Sequence, residues 1–331
     1  MLRNRDIWRC RYMLFLVTIA VAAVATAGCF GDAVDDAPDG EEAEPVAVTD
    51  DRDVETVFSQ PPSRIVSIGP VNTEILYAIG AGDLLVGVDM YSDWPEATAD
   101  METVGDLREP SAEVITALEP DAVIVSHTTM ETIEKLEGMD LKVVAILTDD
   151  LDDLHRTAER LGRITDRSEE ADRLTSELEA ALECIEKAIG GPEERPGVFF
   201  EIDPDPLWTA GGGSFPDLLI ERASGDNIFS DLDPWAEVSS EAVIDRNPDV
   251  IIGTLQQTRE MIDSGERPGW DEITAVQKDR IEILDADLLH RAGPRLVFGF
   301  AEMARAIWPE RLQELPCVDE YEDKLMQWIR E

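Results

Sequence analysis

The chain has 331 residues, enough for two medium domains, each with its own core. Asp and Glu number 72 against 28 Lys and Arg, a formal net charge of -44. Phosphate contacts need clustered basic side chains, so this balance excludes a nucleic-acid partner and opposes direct binding to an anionic membrane. Acid spread so widely suits a surface solvated in very high salt, where screening removes much of the self-repulsion.

Arg3, Arg5, Arg9 and Arg11 precede an uncharged run from Tyr12 to Gly28. As a helix that run rises about 25 Å, short of the roughly 30 Å hydrocarbon core. Residues 1–28 therefore read as a secretion signal rather than a permanent span. Thr26-Ala27-Gly28-Cys29 resembles the lipobox of secreted lipoproteins. That resemblance implies that Cys29 becomes the first residue and carries lipid, more than one chain being needed for a firm anchor. Residues 31–60 then hold eleven Asp or Glu and one Arg. The stretch 29–61 is expected to be an acidic, disordered, self-repelling tether.

The N-terminal lobe is expected over residues 62–150. Arg64–Ile68 reads as a strand ended by Gly69-Pro70, and Asn72 or Thr73 as the cap of a helix that stops at Gly80. Leu85–Asp89 reads as a second strand. SAEVITALEPDAVIVS follows as helix, proline break and buried strand, and METIEKLEGMDLKVVAIL repeats the rhythm. Strands alternating with helices of this length imply a parallel sheet covered on both faces. Residues 151–190 carry a helical apolar period with Gly162 inside it, and are expected to form one stiff helix crossing between domains.

The C-terminal lobe is expected over residues 191–331. Val198–Ile202 is its first strand, and SEAVIDRNPDVIIG restates the helix–Pro–strand phrase of the first half. A repeat at that spacing implies two similar lobes. The fold class is therefore α/β: two Rossmann-like lobes joined by a long rigid helix, with a ligand cleft between them.

The loops after successive strands carry Tyr91, Trp94, Trp208 and Trp235, a set suited to a broad flat apolar clamp. The alternative for the tryptophans is a place in the core at the lobe rim. Arg291 and Arg295 stand out in an acidic chain as a fork for an anionic ligand group, or as members of an internal salt bridge. Gly211-Gly212-Gly213-Ser214 lacks the lysine of a phosphate loop and reads as a turn permitting close backbone approach. Nothing favours catalysis: no G-x-S-x-G or H-E-x-x-H occurs, and His127 beside Ser126 has no acidic orienter identifiable by position. The three histidines, His127, His155 and His290, are widely spaced and no CxxC occurs, so no metal site is expected. Cys184 and Cys317 remain after export, and their pairing stays open.

SRIVSIGPVNTEILYAIGAGDLLVGVDMYSDWPEA, GDLREPSAEVITALEPDAVIVS and WTAGGGSFPDLLIERASGDNIFSDLDPWAEVSSEAVIDRNPDVII together resemble the substrate-binding proteins of importers for vitamin B12, ferric siderophores and haem. The resemblance spans about residues 62–312. It implies a monomeric, non-enzymatic protein with no intrinsic cofactor. Such a protein is anchored on the extracellular side of the membrane and delivers its ligand to a permease driven by a cytoplasmic ATPase. It also implies one permease-docking glutamate per lobe, matched here to Glu74 in NTEI and Glu241 in SSEAV, with Glu113 in SAEVI left structural. YSDWP looks most like the cobalamin-binding branch, which assigns Tyr91, Trp94, Trp208 and Trp235 to a corrin ring. A ferric siderophore held by Arg291 and Arg295 is the alternative. Haem ranks below both, for want of an axial His or Tyr constellation.

Overall fold

The computed structural model describes residues 45–330. The expected secretion signal, Cys29 and the first part of the expected acidic tether lie outside the described residues. Among the described residues no helix is long and apolar enough to cross a membrane.

The chain enters through an antiparallel hairpin, β1 (Val46–Thr49) and β2 (Glu55–Phe58). This corrects the expectation of a disordered tether up to residue 61. Val48 and Phe58 are buried against the body, and the acids between them have structural work. Asp50 accepts hydrogen bonds from Arg52, from the Val54 amide and from the Ala145 amide. Asp51 accepts from the Leu147 amide and from Arg160. Counting acids over thirty residues concealed two short apolar strands whose turn is made of paired carboxylates.

The first lobe alternates strand and helix: β3 (Ile65–Ile68), α1 (Pro70–Ala78), β4 (Leu85–Val88), α2 (Ala112–Ala117), β5 (Ala122–Val125), α3 (Met130–Glu137) and β6 (Val143–Ala145). The strands form a four-stranded, all-parallel sheet in the order β4-β3-β5-β6. β3 and β5 are buried along their whole length, as a sheet covered on both faces requires. Helix α1 starts one turn earlier than its sequence caps suggest. Gly69 is the N-cap and Pro70, which needs no amide partner, opens the first turn.

The connecting segment is two helices rather than one, a correction to the single strut. They are α4 (Leu151–Thr165) and α5 (Ser168–Ile189). The chain turns at Asp166, which takes a left-handed conformation at φ 58°. Gly162 does not bend the helix; it admits the next one. A Cβ there would stand 2.8 Å from the Ala171 side chain, so glycine lets α4 and α5 close on each other. α4 packs on β1 and α1, while α5 carries the second lobe.

That lobe contains β7 (Gly197–Pro204), β8 (Leu207–Ala210), α6 (Phe215–Arg222), β9 (Asp226–Asn227), β10 (Trp235–Glu237), α7 (Ser240–Arg246), β11 (Val250–Gly253), α8 (Gln256–Asp263), α9 (Thr274–Gln277), β12 (Ile281–Ile283), α10 (Ala286–His290), α11 (Leu296–Ile307) and α12 (Pro316–Trp328). Its sheet is mixed. β7, β11 and β12 run parallel, and β8 and β10 extend one edge antiparallel. One apolar core runs from Ile65, Ile75 and Leu76 through Leu161, Leu174 and Leu182 to Phe200, Phe300 and Leu325. The lobes are thus joined by buried side chains, not by a bare connector. A disulfide between Cys184 on α5 and Cys317 on α12 fastens the same joint.

The repeat noticed in the sequence is a repeat in space. Ser111 caps α2 by accepting from the Val114 amide, and Ser239 caps α7 by accepting from the Ala242 amide. The aspartate after each proline then ties the first strand of its lobe. Asp121 accepts from the amides of Ser63 and Arg64, and Asp249 accepts from the Gly197 amide.

Candidate functional site

A cleft of about 850 Å³ opens between the lobes. From the first lobe its wall is built by the turns after β3, β5 and β6: Gly69 to Val71, Ser126-His127 and Thr148-Asp149. From the second it is built by the start of α6, by Asp233-Pro234-Trp235, and by Leu289-His290-Arg291 at the end of α10. Ligands settle at such edges because the loops leaving the carboxyl ends of parallel strands diverge and leave a crevice there.

Two of the six ligand candidates line this cleft. Trp235 stands 53% exposed, a large free apolar face on the second lobe. Arg291 lines the cleft too, but its guanidinium is committed to Asp93 at 2.9 Å and to Asp287 at 2.8 Å.

The other four lie off the wall. Trp94 is half-buried, with the Arg295 guanidinium 4.9 Å from its ring centre, so it belongs to the joint between lobes. Tyr91 is exposed and donates its hydroxyl to Asp106, a contact that raises its pKa. Trp208 sits within β8 instead of a loop, paired with Asp203 on one side and Glu237 on the other. The apparent loop Asp203–Trp208 is a tight hairpin in which Asp203 accepts from the Asp205 amide. Arg295 pairs with Glu74.

Glu74 is 1% exposed. Its Oε1 lies 2.7 Å from Arg295 and 3.8 Å from Arg291. Burial pushes this carboxyl above its ordinary value while the two arginines pull it back. A carboxylate enclosed in this way is not offered to a partner surface, which corrects its assignment to docking. The residue that parallels Glu241 is Glu113. Each is exposed, and each is the second residue of a serine-capped helix that leads through Pro-Asp into a parallel strand. A carboxylate there is favoured by the amides of the helix start, and Glu241 is held below its ordinary value by its own amide and by Ser239. The signal that identifies Glu113 was the internal repeat itself.

Gly211 and Gly212 do permit close approach, but to protein. A Cβ on either would fall 2.0 Å from the Asp233 carbonyl oxygen or 2.2 Å from that of Ser230. Gly213 and Ser214 of that turn reach the cleft.

Two histidines line the cleft, one from each lobe. His127 has φ 56°, and its Nδ1 lies 2.8 Å from the Ser126 Oγ. Its Nε2 is 3.5 Å from Asp149, supplying the acid that the sequence did not locate. That separation is too long for a hydrogen bond. His290 presents one side to the cleft and the other to Phe200. The sequence pointed to His127 only as a hydrolytic candidate beside Ser126 and did not link it to His290, because the two lie 163 positions apart (290 minus 127).

Residues 65–288 match the profile of a family described as periplasmic binding protein. The ABC transporter substrate-binding lipoprotein YvrC of Bacillus subtilis is 31% identical over 309 residues, covering 89% of this chain and 97% of that protein. A vitamin B12-binding protein of Vibrio campbellii is 29% identical over 247 residues, covering 73% of this chain and 88% of its own length. Among solved structures, the periplasmic heme-binding protein RhuT of Roseiflexus superposes with a TM-score of 0.67 at 26% identity. That match covers 75% of this chain and 98% of that one.

Proposed function

Because the chain belongs to the periplasmic binding protein family, and is an ABC-type substrate-binding protein of the class serving vitamin B12, siderophores and haem, we propose that its ligand is cobalamin. The observation that carries the reading is the cleft of about 850 Å³ with Trp235 open on one wall. A corrin ring is broad and largely apolar across its faces, and an exposed indole matches such a face at low entropic cost. Arg291 weighs against a strongly anionic ligand, since its charge is already balanced by Asp93 and Asp287. That lowers the ferric siderophore as an alternative.

Capture takes place outside the cytoplasm, with the body held to the membrane through lipid on Cys29. Delivery uses Glu113 and Glu241, one exposed carboxylate on each lobe, against basic side chains of a permease worked by a cytoplasmic ATPase. The relatives are carriers, and Ser126, His127 and Asp149 serve as wall residues rather than a hydrolytic set. The test is a calorimetric titration of the protein in high salt with cyanocobalamin, a ferric hydroxamate siderophore and hemin. One-to-one binding of cyanocobalamin at least a hundredfold tighter than the siderophore is expected. The reverse order overturns the assignment.

A further inference from the structure

We propose that Asp51, in the turn of the N-terminal hairpin, is a positioning residue for ligand binding: it clamps both ends of the turn that forms one part of the cleft wall. The proposal rests on the reading of the cleft as the ligand site and adds what sets the shape of that site.

The argument starts at the edge of a sheet. β6 is the last strand in the order β4-β3-β5-β6, so the peptide groups on its outer side have no neighbouring strand. Such edges are usually left to water or covered. Here the hairpin turn covers this one. The Ala145 amide donates to Asp50 Oδ2 at 3.1 Å, and the Val143 carbonyl accepts from Arg52 at 3.2 Å. Asp51 makes two bonds of its own. Its amide donates to the Ala145 carbonyl at 3.0 Å, and its Oδ2 accepts from the Leu147 amide at 2.7 Å. Those bonds flank Ile146 as a parallel strand would, with a side-chain oxygen standing in for a backbone carbonyl. On the inner side the Ile146 amide donates to the Val125 carbonyl, so the chain is held from both sides at this point.

The second carboxylate oxygen reaches across to a helix. Asp51 Oδ1 lies 2.7 Å from the Arg160 guanidinium on α4. One side chain thus joins the end of β6 to α4, and between those elements the chain runs through Thr148 and Asp149, which line the cleft. A buried contact of 2.8 Å between the hydroxyls of Thr148 and Thr157 crosses the same turn. Asp149 faces His127 at 3.5 Å, so the turn also borders a second stretch of the wall.

Asp51 is itself held firmly. The neighbouring Asp50 accepts from the amides of Arg52 and Val54, and Val48 and Phe58 anchor the two strands in the core. The hairpin precedes residues 65–288, the segment that matches the family profile, and none of its residues lines the cleft. Asp51 therefore acts only through the wall it holds. A wall already fixed in its binding shape loses little of the binding free energy to ordering. Supporting bonds of this kind keep site residues within the small tolerance that recognition allows.

The test uses the full chain with cyanocobalamin as the probe. Asp51→Ala leaves the Leu147 amide and Arg160 without this acceptor, and is expected to weaken binding about tenfold or more by calorimetry. Asp121→Ala is the control. It removes the same kind of carboxylate–amide bond, to Ser63 and Arg64, at the end of the sheet away from the cleft. Its melting temperature should fall comparably while its affinity stays within about twofold of native. Amide exchange read by mass spectrometry should quicken across residues 146–149 in Asp51→Ala and keep the native rate there in Asp121→Ala. If Asp51→Ala fails to fold, Asp51→Asn takes its place. That variant keeps an oxygen for the Leu147 amide and gives up the charge facing Arg160, so a loss of about threefold or more is expected, against none for Asp121→Asn. Equal losses of affinity in the paired variants, or native affinity in the Asp51 variant, overturn the proposal. If the native protein refuses cyanocobalamin and takes up hemin, the cobalamin reading falls, and the proposal stands or falls on the same contrast measured with hemin. Uptake of neither probe removes the cleft as the ligand site and the proposal with it.

Discussion

Glu74 in the first lobe and Arg295 in the second meet at 2.7 Å, 221 positions apart in sequence, with the carboxylate all but sealed from solvent. The same guanidinium covers Trp94, so one side chain ties the rim of one lobe to the helix α11 of the other. Removing Arg295 strands a buried carboxylate, a change that commonly costs about 3–5 kcal/mol. Arg295→Ala should therefore lower the unfolding free energy in denaturant by that order at neutral pH.

The same carboxyl gives the loss a pH dependence. Its folded pKa lies above the ordinary 4.5, chiefly through burial, and loss of Arg295 raises it further. The folded chain then binds the proton more tightly than the unfolded chain, so stability falls as pH climbs from about 4.5 through the raised value. The deficit of Arg295→Ala relative to the native protein should shrink toward pH 5. Denaturant midpoints measured between pH 5 and 8 check this, and a deficit independent of pH contradicts it.

Glu113→Lys with Glu241→Lys should reduce uptake into vesicles carrying the permease at least tenfold. Both side chains are exposed and neither lines the cleft wall, so ligand affinity should stay within about twofold. Uptake at the native rate would reject docking by this pair.

Trp235→Ala should weaken cobalamin binding by about tenfold, roughly 1.4 kcal/mol, through the lost stacking face. Trp208→Ala, within β8 and off the wall, should change affinity much less. Fluorescence titration of the two variants side by side decides between them.

The disulfide closes a separation of 133 residues. Cross-links over loops of that length stabilise by about 2–5 kcal/mol, mainly by restricting the unfolded chain. Reduction, or Cys184→Ser with Cys317→Ser, should lower the melting temperature without altering the ligand spectrum. Thiol titration of the denatured, unreduced protein should leave these two cysteines unreactive.

The charge of -44 predicts a strong salt dependence. Screening relieves repulsion among exposed carboxylates, so the melting temperature should rise as KCl goes from 0.1 M to 2 M. At about 0.1 M the screening length is still near 10 Å. A flat response would remove the case for adaptation to high salt.

Much of the fold was legible because it is written in short-range code. The helix–Pro–Asp–strand phrases became α2 to β5 and α7 to β11, with Asp121 and Asp249 in matching roles. The site was less legible. Trp94 and Trp208 look like loop aromatics until a cation covers one and a hairpin takes in the other. Glu74 follows Asn72-Thr73 like an exposed first-turn acid, and only Arg295 explains its burial. For Trp94 and Glu74 the deciding partner, Arg295, comes from the other lobe, whereas Trp208 is placed by strand pairing within its own lobe.

Periodicity and capping act over a few residues, so the chain alone determined the alternation of strand and helix, the duplicated lobes and the acidic surface. Which side chains share a wall depends on contacts between segments hundreds of residues apart. The angle between the lobes, the Cys184–Cys317 bond and the sharing of one cleft by His127 and His290 were therefore decided by tertiary packing. Elements so distant in sequence are brought together only when the common core closes around α4 and α5.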